Sequence, residues 1–187
     1  FVNFRSDVID TSSAWNFNFI TSIIESGQAK GIVIRGGRGD WNIVNSTFNF
    51  MADSSVYVDG TMTDIGGTLI GNAFNMNSGT GYPIIYLNTI YATVTGNIFY
   101  AKTTASSLTG INILNDNNVV SNNIMFSSTS AIITTAINLT AAADYNFGTS
   151  NRINLSGGTT LITDAGTNNA IQINGTYGDG GVTNYSA

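Results

Sequence analysis

The chain repeats one short phrase at nearly even intervals, seen most clearly in Val94-Thr95-Gly96-Asn97-Ile98-Phe99. Residues 43–48, 69–74, 120–125 and, more loosely, 149–153 carry the other copies. The shared polar position advances in steps of 26, 25, 26 and 28 residues, falling at Ser46, Asn72, Asn97, Asn123 and Asn151. A repeat of this length built from β-forming residues indicates a solenoid, in which each coil buries its apolar face against its neighbours.

A second series of strands accompanies the phrase. Each member alternates inward, outward and inward, which is typical of a strand with one buried face. The members are Ile32-Val33-Ile34, Val56-Tyr57-Val58, Ile85-Tyr86-Leu87, Ile111-Asn112-Ile113 and Ile137-Asn138-Leu139. The two series predict an all-β fold, a single-stranded parallel β-helix with coils of about 25 residues. We expect the coils to span residues 31–174 and an irregular tail to cover residues 175–187.

The recurring Asn has a physical role in this scheme. Stacked Asn side chains can hydrogen-bond from one coil to the next, as Asn and Gln ladders do in cross-β stacks. Gly71, Gly96 and Gly148 lie near the same corners, where a positive φ or a close backbone approach is expected.

The segment before the repeats has a different pattern. Residues 12–27 place five large apolar residues at helical spacing, with Ser12 or Ser13 as N-cap and Gly27 after the last turn. We therefore predict a short helix within an N-terminal cap segment, residues 1–30, that covers the open end of the solenoid, with a strand as the alternative. The apolar residues are Trp15, Phe19, Ile20, Ile23 and Ile24.

Composition excludes several classes of protein. The 187 residues fit one domain, and 42% of them are hydrophobic while 9% are charged. A net charge of −5 argues against a nucleic-acid partner. His and Cys are absent, which removes the commonest general base, the commonest metal ligand and any disulfide. We expect no metal and no cofactor. We also expect no membrane span, because no apolar run reaches about 18 residues.

Residues 92–99, 118–125 and 164–169 carry a resemblance to a known family. With their Gly-Asn and Asn-Asn corners they resemble the right-handed parallel β-helices of the pectin-lyase-like superfamily, in particular those of phage tailspikes and tail fibres. The resemblance implies a right-handed coil, a cap helix before the first strand, and an extracellular or virion-surface location. It also implies a homotrimer that binds or cleaves polysaccharide.

Alternation along the strands assigns residues to the outer surface. Two tyrosines on adjacent coils, flanked by polar side chains, form the best candidate for ligand binding, since sugars offer apolar ring faces to aromatics and hydroxyls to polar groups. An exposed strand-strengthening stack and a subunit interface are the alternatives. The candidate binding residues are Tyr57, Tyr86, Arg35, Asp59, Asn88 and Asn112.

Catalysis has weaker support. Asp59 and Asp64, with Arg35 nearby, are the only pair that we consider for glycoside hydrolysis or lyase chemistry, which needs two acids at short range. The remaining Asp residues are scattered about one per coil, so we lean against an enzyme. We expect a structural and adhesive β-helix module of an extracellular assembly, a phage tail spike or fibre that binds surface polysaccharide. A polysaccharide lyase or hydrolase, and a non-viral envelope or filament subunit, are the alternatives.

Overall fold

The structure is a computed structural model that describes residues 9–12, 16–25, 29–35, 40–49, 51–60, 66–76, 81–101, 108–127, 133–154 and 160–173. Every regular element in these residues is a β-strand, and none is a helix. The strands are β1 (Ile9–Ser12), β2 (Phe17–Ile20), β3 (Ile23–Glu25), β4 (Ile32–Arg35), β5 (Trp41–Val44), β6 (Thr47–Asn49), β7 (Val56–Asp59), β8 (Gly67–Ile70), β9 (Ala73–Met76), β10 (Pro83–Asn88), β11 (Ala92–Thr95), β12 (Ile98–Ala101), β13 (Leu108–Ile113), β14 (Val119–Ser121), β15 (Ile124–Ser127), β16 (Ile133–Leu139), β17 (Phe147–Asn154), β18 (Thr160–Asp164) and β19 (Ala170–Ile173).

The strands stack in parallel as a β-solenoid, which confirms the predicted fold class. Each of the first five coils contributes three strands, one to each of three parallel sheets. The first sheet runs β1-β4-β7-β10-β13-β16-β18. The second begins at β2 and the third at β3, and the long β17 belongs to both of them. A last, shorter coil is formed by β18 and β19, which pair with β16 and β17.

The core consists of columns of equivalent inward side chains. Ile32, Val56, Ile85 and Ile111 follow one another in the register of the first sheet and are all buried. In the third sheet, the rings of Phe48, Phe74 and Phe99 stack with centroids 5.0 Å apart at each step. A continuous apolar interior of this kind supplies the main driving force for folding.

The corner between the second and third sheets contains the predicted Asn ladder. Nδ2 of Asn72, Asn97 and Asn123 each donates to Oδ1 of the Asn in the next coil, at 3.0 Å in every case. The residue before each ladder position has a positive φ, including Gly71 and Gly96, both at 66°. In the first four copies of the phrase the left-handed residue separates two strands where the sequence predicted one, whereas the loose fifth copy lies within the continuous strand β17.

A second ladder lies at the corner between the first and second sheets. Nδ2 of Asn118 donates to Oδ1 of Asn146 at 3.1 Å, and Nδ2 of Asn146 donates to Oδ1 of Asn169 at 3.0 Å. All three side chains are buried. The two ladders supply hydrogen-bond partners to polar groups inside the solenoid. Without them, each buried and unpaired donor or acceptor would destabilise the fold.

The predicted cap helix is wrong for the described part of its span. β2 and β3 occupy residues 17–20 and 23–25 and pair in register with β5 and β6. Thr21 has a φ of 50° and forms the same corner as in later coils. Apolar residues on the two sides of such a corner have the same spacing as one face of a helix. Pairing with β5 and β6 of the next coil makes these residues strands instead. Trp15 and Gly27 lie outside the described residues.

Candidate functional site

Two tyrosines form an aromatic stack on the outer face of the first sheet. β7 and β10 are paired so that Tyr57 lies directly beside Tyr86. Their ring centroids are 4.4 Å apart and their planes differ by 7°. Adjacent strands of a sheet lie about 4.8 Å apart, so parallel pairing brings equivalent rings into stacking contact without further adjustment.

A lysine covers the stack on the side of the preceding coil. Nζ of Lys30 lies 4.9 Å from the ring centroid of Tyr57. The same ammonium is 2.8 Å from Oδ2 of Asp53, and both side chains are largely buried. The cation is therefore held by a carboxylate and by an aromatic face. Sequence reasoning missed Lys30 and Asp53 because both lie in connections, where alternation gives no signal.

The environment changes the acidity of both phenols. Partial burial is the main cause that raises the pKa of Tyr57 above its usual value, with Asp59 adding to the effect. Partial burial also raises the pKa of Tyr86, and the neighbouring Tyr57 adds to it. Both hydroxyls therefore stay protonated at neutral pH and are available as hydrogen-bond donors and acceptors.

Polar side chains extend the site to one side. Asn88 lies beside Asp59 in the register, and its Nδ2 is 3.3 Å from Oδ1 of Asp59. Nδ2 of Asn115 donates to Oδ1 of Asn88 at 2.6 Å. Asn112 is paired with Tyr86 on the next strand, β13, and its Oδ1 accepts from Nδ2 of Asn138 at 2.6 Å. We call the surface of Tyr57, Tyr86, Asp59, Asn88 and Asn112 the tyrosine platform.

The structure places the remaining candidates at the margin of this surface. Arg35 is paired with Asp59 in the register of β4 and β7. Nη1 of Arg35 lies 3.7 Å from Oδ2 of Asp10, an exposed ion pair. Val33 is paired with Tyr57, as the alternation along the strands predicts. Its side chain is 0% exposed, however, so the prediction that Val33 is an outward, exposed residue is wrong.

The carboxylates do not form a cluster in the described part of the chain. Asp64 lies outside the described residues, so its distance from Asp59 is not defined. Among the residues that are described, no group of three or more Asp or Glu could hold a metal ion. Asp116, at a corner of the solenoid, accepts a hydrogen bond of 2.7 Å from the backbone N–H of Asp144. That carboxylate therefore ties one coil to the next.

No protein-family model, curated protein or solved structure matches this chain. The fold and the outer surface define it as a parallel β-solenoid protein with an aromatic and polar platform on one sheet. Within the described residues, no helical segment has the length and apolarity of a membrane span.

Proposed function

We propose that the chain is a structural and adhesive β-helix module of an extracellular assembly, of the phage tail spike or tail fibre type, and that it binds surface polysaccharide through the tyrosine platform. The proposal includes what the sequence resemblance implies: a right-handed coil of the pectin-lyase-like kind, a homotrimer, and exposure on a virion or another extracellular surface. The stacked pair Tyr57 and Tyr86 is the observation that carries the proposal.

The geometry of the stack limits where a sugar ring can bind. One face of Tyr57 packs on Tyr86, and Lys30 lies over the ring of Tyr57. The sugar therefore lies against the face of Tyr86 that is turned toward Asn112, with its hydroxyls near the amides of Asn112 and Asn88. Tyr57 supports Tyr86 from behind and contributes its hydroxyl at the margin.

The scaffold suits adhesion because it holds the platform rigidly. Both tyrosines lie on strands whose neighbouring inward residues, including Ile85 and Val56, are completely buried. Side chains on strands of a packed scaffold are positioned more accurately than side chains on loops. A pre-organised surface loses little conformational entropy when it binds an extended polymer.

Binding to bacterial surface polysaccharides tests the proposal. Immobilised O-antigen and capsular polysaccharides would be presented to the protein and to its Tyr86→Ala and Tyr57→Ala variants in biolayer interferometry. We expect Tyr86→Ala to weaken binding about tenfold or more, equivalent to about 1.4 kcal/mol. Tyr57→Ala should weaken it less, because Tyr57 supports the binding face indirectly. Tyr145→Ala is the matched control, since this ring is 61% exposed at a corner of the solenoid away from the platform.

Two results would overturn the proposal. One is binding that Tyr86→Ala leaves unchanged, which would place the polysaccharide elsewhere. The other is the absence of binding across the panel together with a stable oligomer that Tyr86→Ala dissociates in analytical ultracentrifugation. The second result would identify the stack as a subunit interface.

A further inference from the structure

A notch lies on the outer face of the second sheet, next to the corner that joins this sheet to the sheet of the tyrosine platform. It is a cavity of about 280 Å³ at the start of β5, β8 and β11. Its floor is the outward column Asn42, Thr68 and Thr93, which are in register across the three strands. Asp40 and Tyr91 form its two sides.

A glycine creates the notch. Asp40, Gly66 and Tyr91 each directly precede a strand of the second sheet, and those strands begin in register at Trp41, Gly67 and Ala92. Gly66 has no side chain, so it leaves a gap between the two neighbours. A Cβ at this position would lie 2.7 Å from the carbonyl oxygen of Tyr91, so the close approach of the chain requires glycine.

The ring on one side of the notch is exposed in an unfavourable backbone conformation. Tyr91 has a φ of 58°, which bulky residues rarely adopt, and its side chain is 58% exposed. Asn117 and Asn168 occupy the equivalent corner in later coils with positive φ, which Asn tolerates more easily. Tyr145 is exposed in the same conformation at the equivalent corner two coils later, so strain alone does not mark Tyr91; what distinguishes Tyr91 is that it borders the notch.

The polar groups of the notch alternate between donors and acceptors. Oγ1 of Thr68 donates to Oδ1 of Asn42 at 2.6 Å, and Nδ2 of Asn42 donates to Oδ1 of Asn18 at 3.0 Å. Asn42 thus keeps a second N–H, and Thr68 keeps its oxygen lone pairs for a ligand. The carboxylate of Asp40 can accept from two adjacent hydroxyls, and its charge repels anions.

We infer that this notch binds one neutral pyranose unit of a saccharide, with the sugar face on Tyr91 and vicinal hydroxyls on Asp40. The volume is near the lower limit of small-molecule sites, roughly 300–1,000 Å³, and therefore admits a single ring. The inference takes only the class of ligand, a saccharide, from the proposed function. None of the residues that line the notch belongs to the tyrosine platform.

An NMR titration of the whole chain tests the inference with four probes: the methyl glycosides of glucose, galactose, mannose and N-acetylglucosamine. We expect at least one of them to shift the amide signals of Asn42, Thr68 and Thr93 in a saturable manner. Tyr91→Asn should weaken this binding about tenfold or more and leave the fold intact, because the equivalent corners already contain Asn. Asp40→Asn, which removes the charge and keeps the shape, should also weaken it.

Matched variants separate the notch from the platform. Tyr145→Asn makes the same substitution at the equivalent corner two coils later, and it should leave glycoside binding unchanged. Tyr86→Ala should also leave it unchanged, so loss of polysaccharide binding at the platform would not remove binding in the notch. The inference is wrong if none of the four glycosides shifts the notch amides, if the shifts persist in Tyr91→Asn, or if methyl glucuronide binds more tightly than the neutral probes.

Discussion

The amide side chain of Asn97 makes every hydrogen bond open to it. Its Nδ2 donates to the Leu69 carbonyl at 2.9 Å and to Asn123 at 3.0 Å. Its Oδ1 accepts from the backbone N–H of Asn72 at 2.9 Å and from the Asn72 side chain at 3.0 Å. Two donors and two acceptor positions are the full capacity of an amide, and all four bonds are buried.

Asn97→Ala should therefore be strongly destabilising. It leaves the backbone N–H and one side-chain N–H of Asn72 buried without an acceptor, each of which costs about 1–3 kcal/mol, whereas Oδ1 of Asn123 keeps the backbone N–H of residue 97. We expect the free energy of unfolding, measured in urea, to fall by roughly 3 kcal/mol. Asn138→Ala is the control, since it removes a similar amide bond, 2.6 Å long, from the outer surface and should cost less than about 1 kcal/mol. Equal losses in the two variants would mean that burial of the ladder contributes nothing.

Gly96 tests the requirement for a left-handed corner. Its φ is 66°, and the nearest atom to an added Cβ, the backbone nitrogen of Gly71, would be 3.9 Å away. A Cβ at this position would therefore clash with no neighbouring residue, and the backbone conformation alone determines the cost of a substitution. Asn45 and Asn122 fill the same corner position in other coils. Gly96→Asn should cost only a few tenths of a kcal/mol, whereas Gly96→Val should cost about 1–2 kcal/mol in urea unfolding. A larger loss for the Asn variant would contradict the conformational explanation.

At the scale of elements, strands were predictable where inward and outward residues alternate across several coils. The five members of the first sheet from β4 to β16 were predicted because each repeats the same alternation. The first coil was not, because Thr21-Ser22 replaces the Asn-containing corner and the apolar residues around it also fit a helix. The second ladder was missed because only Asn118, Asn146 and Asn169 mark it, and the coils before them place other residues there.

The paired strands β7 and β10 give stability a dependence on pH. The folded protein raises the pKa of Tyr57 and Tyr86, so folding favours the protonated phenols. This contribution is fully present below the unfolded value of about 10 and is lost as pH rises toward the folded values. The free energy of unfolding in urea should therefore fall above about pH 10.

The double variant Tyr57→Phe/Tyr86→Phe isolates this contribution. It keeps both rings and removes both ionisable hydroxyls, so its decline in stability above about pH 10 should be shallower than that of the wild type. The decline caused by other groups is the same in both proteins. Identical slopes in the two proteins, or a wild-type stability that rises with pH, would contradict the assignment.

At the scale of the whole molecule, the candidate sites depend on which coils lie side by side. Strand alternation was enough to place Tyr57 beside Tyr86. The notch was beyond prediction because Asp40, Gly66 and Tyr91 lie at corners whose alignment follows only from the paired strands. Asp10 was missed as the partner of Arg35 because the first coil had been assigned to a cap.

The solenoid also predicts how stability is distributed, because each coil contacts only its neighbours. Ile85 is completely buried between two coils, whereas Ile162 lies in β18 of the last described coil and is only partly buried. Ile85→Ala, at a cost of about 2–5 kcal/mol, should speed amide hydrogen exchange throughout the strands from β4 to β16. Ile162→Ala should speed exchange only in β18 and β19 and leave β7 and β10 as in the wild type. Uniform acceleration in the Ile162→Ala variant would show instead that the coils unfold in one all-or-none step.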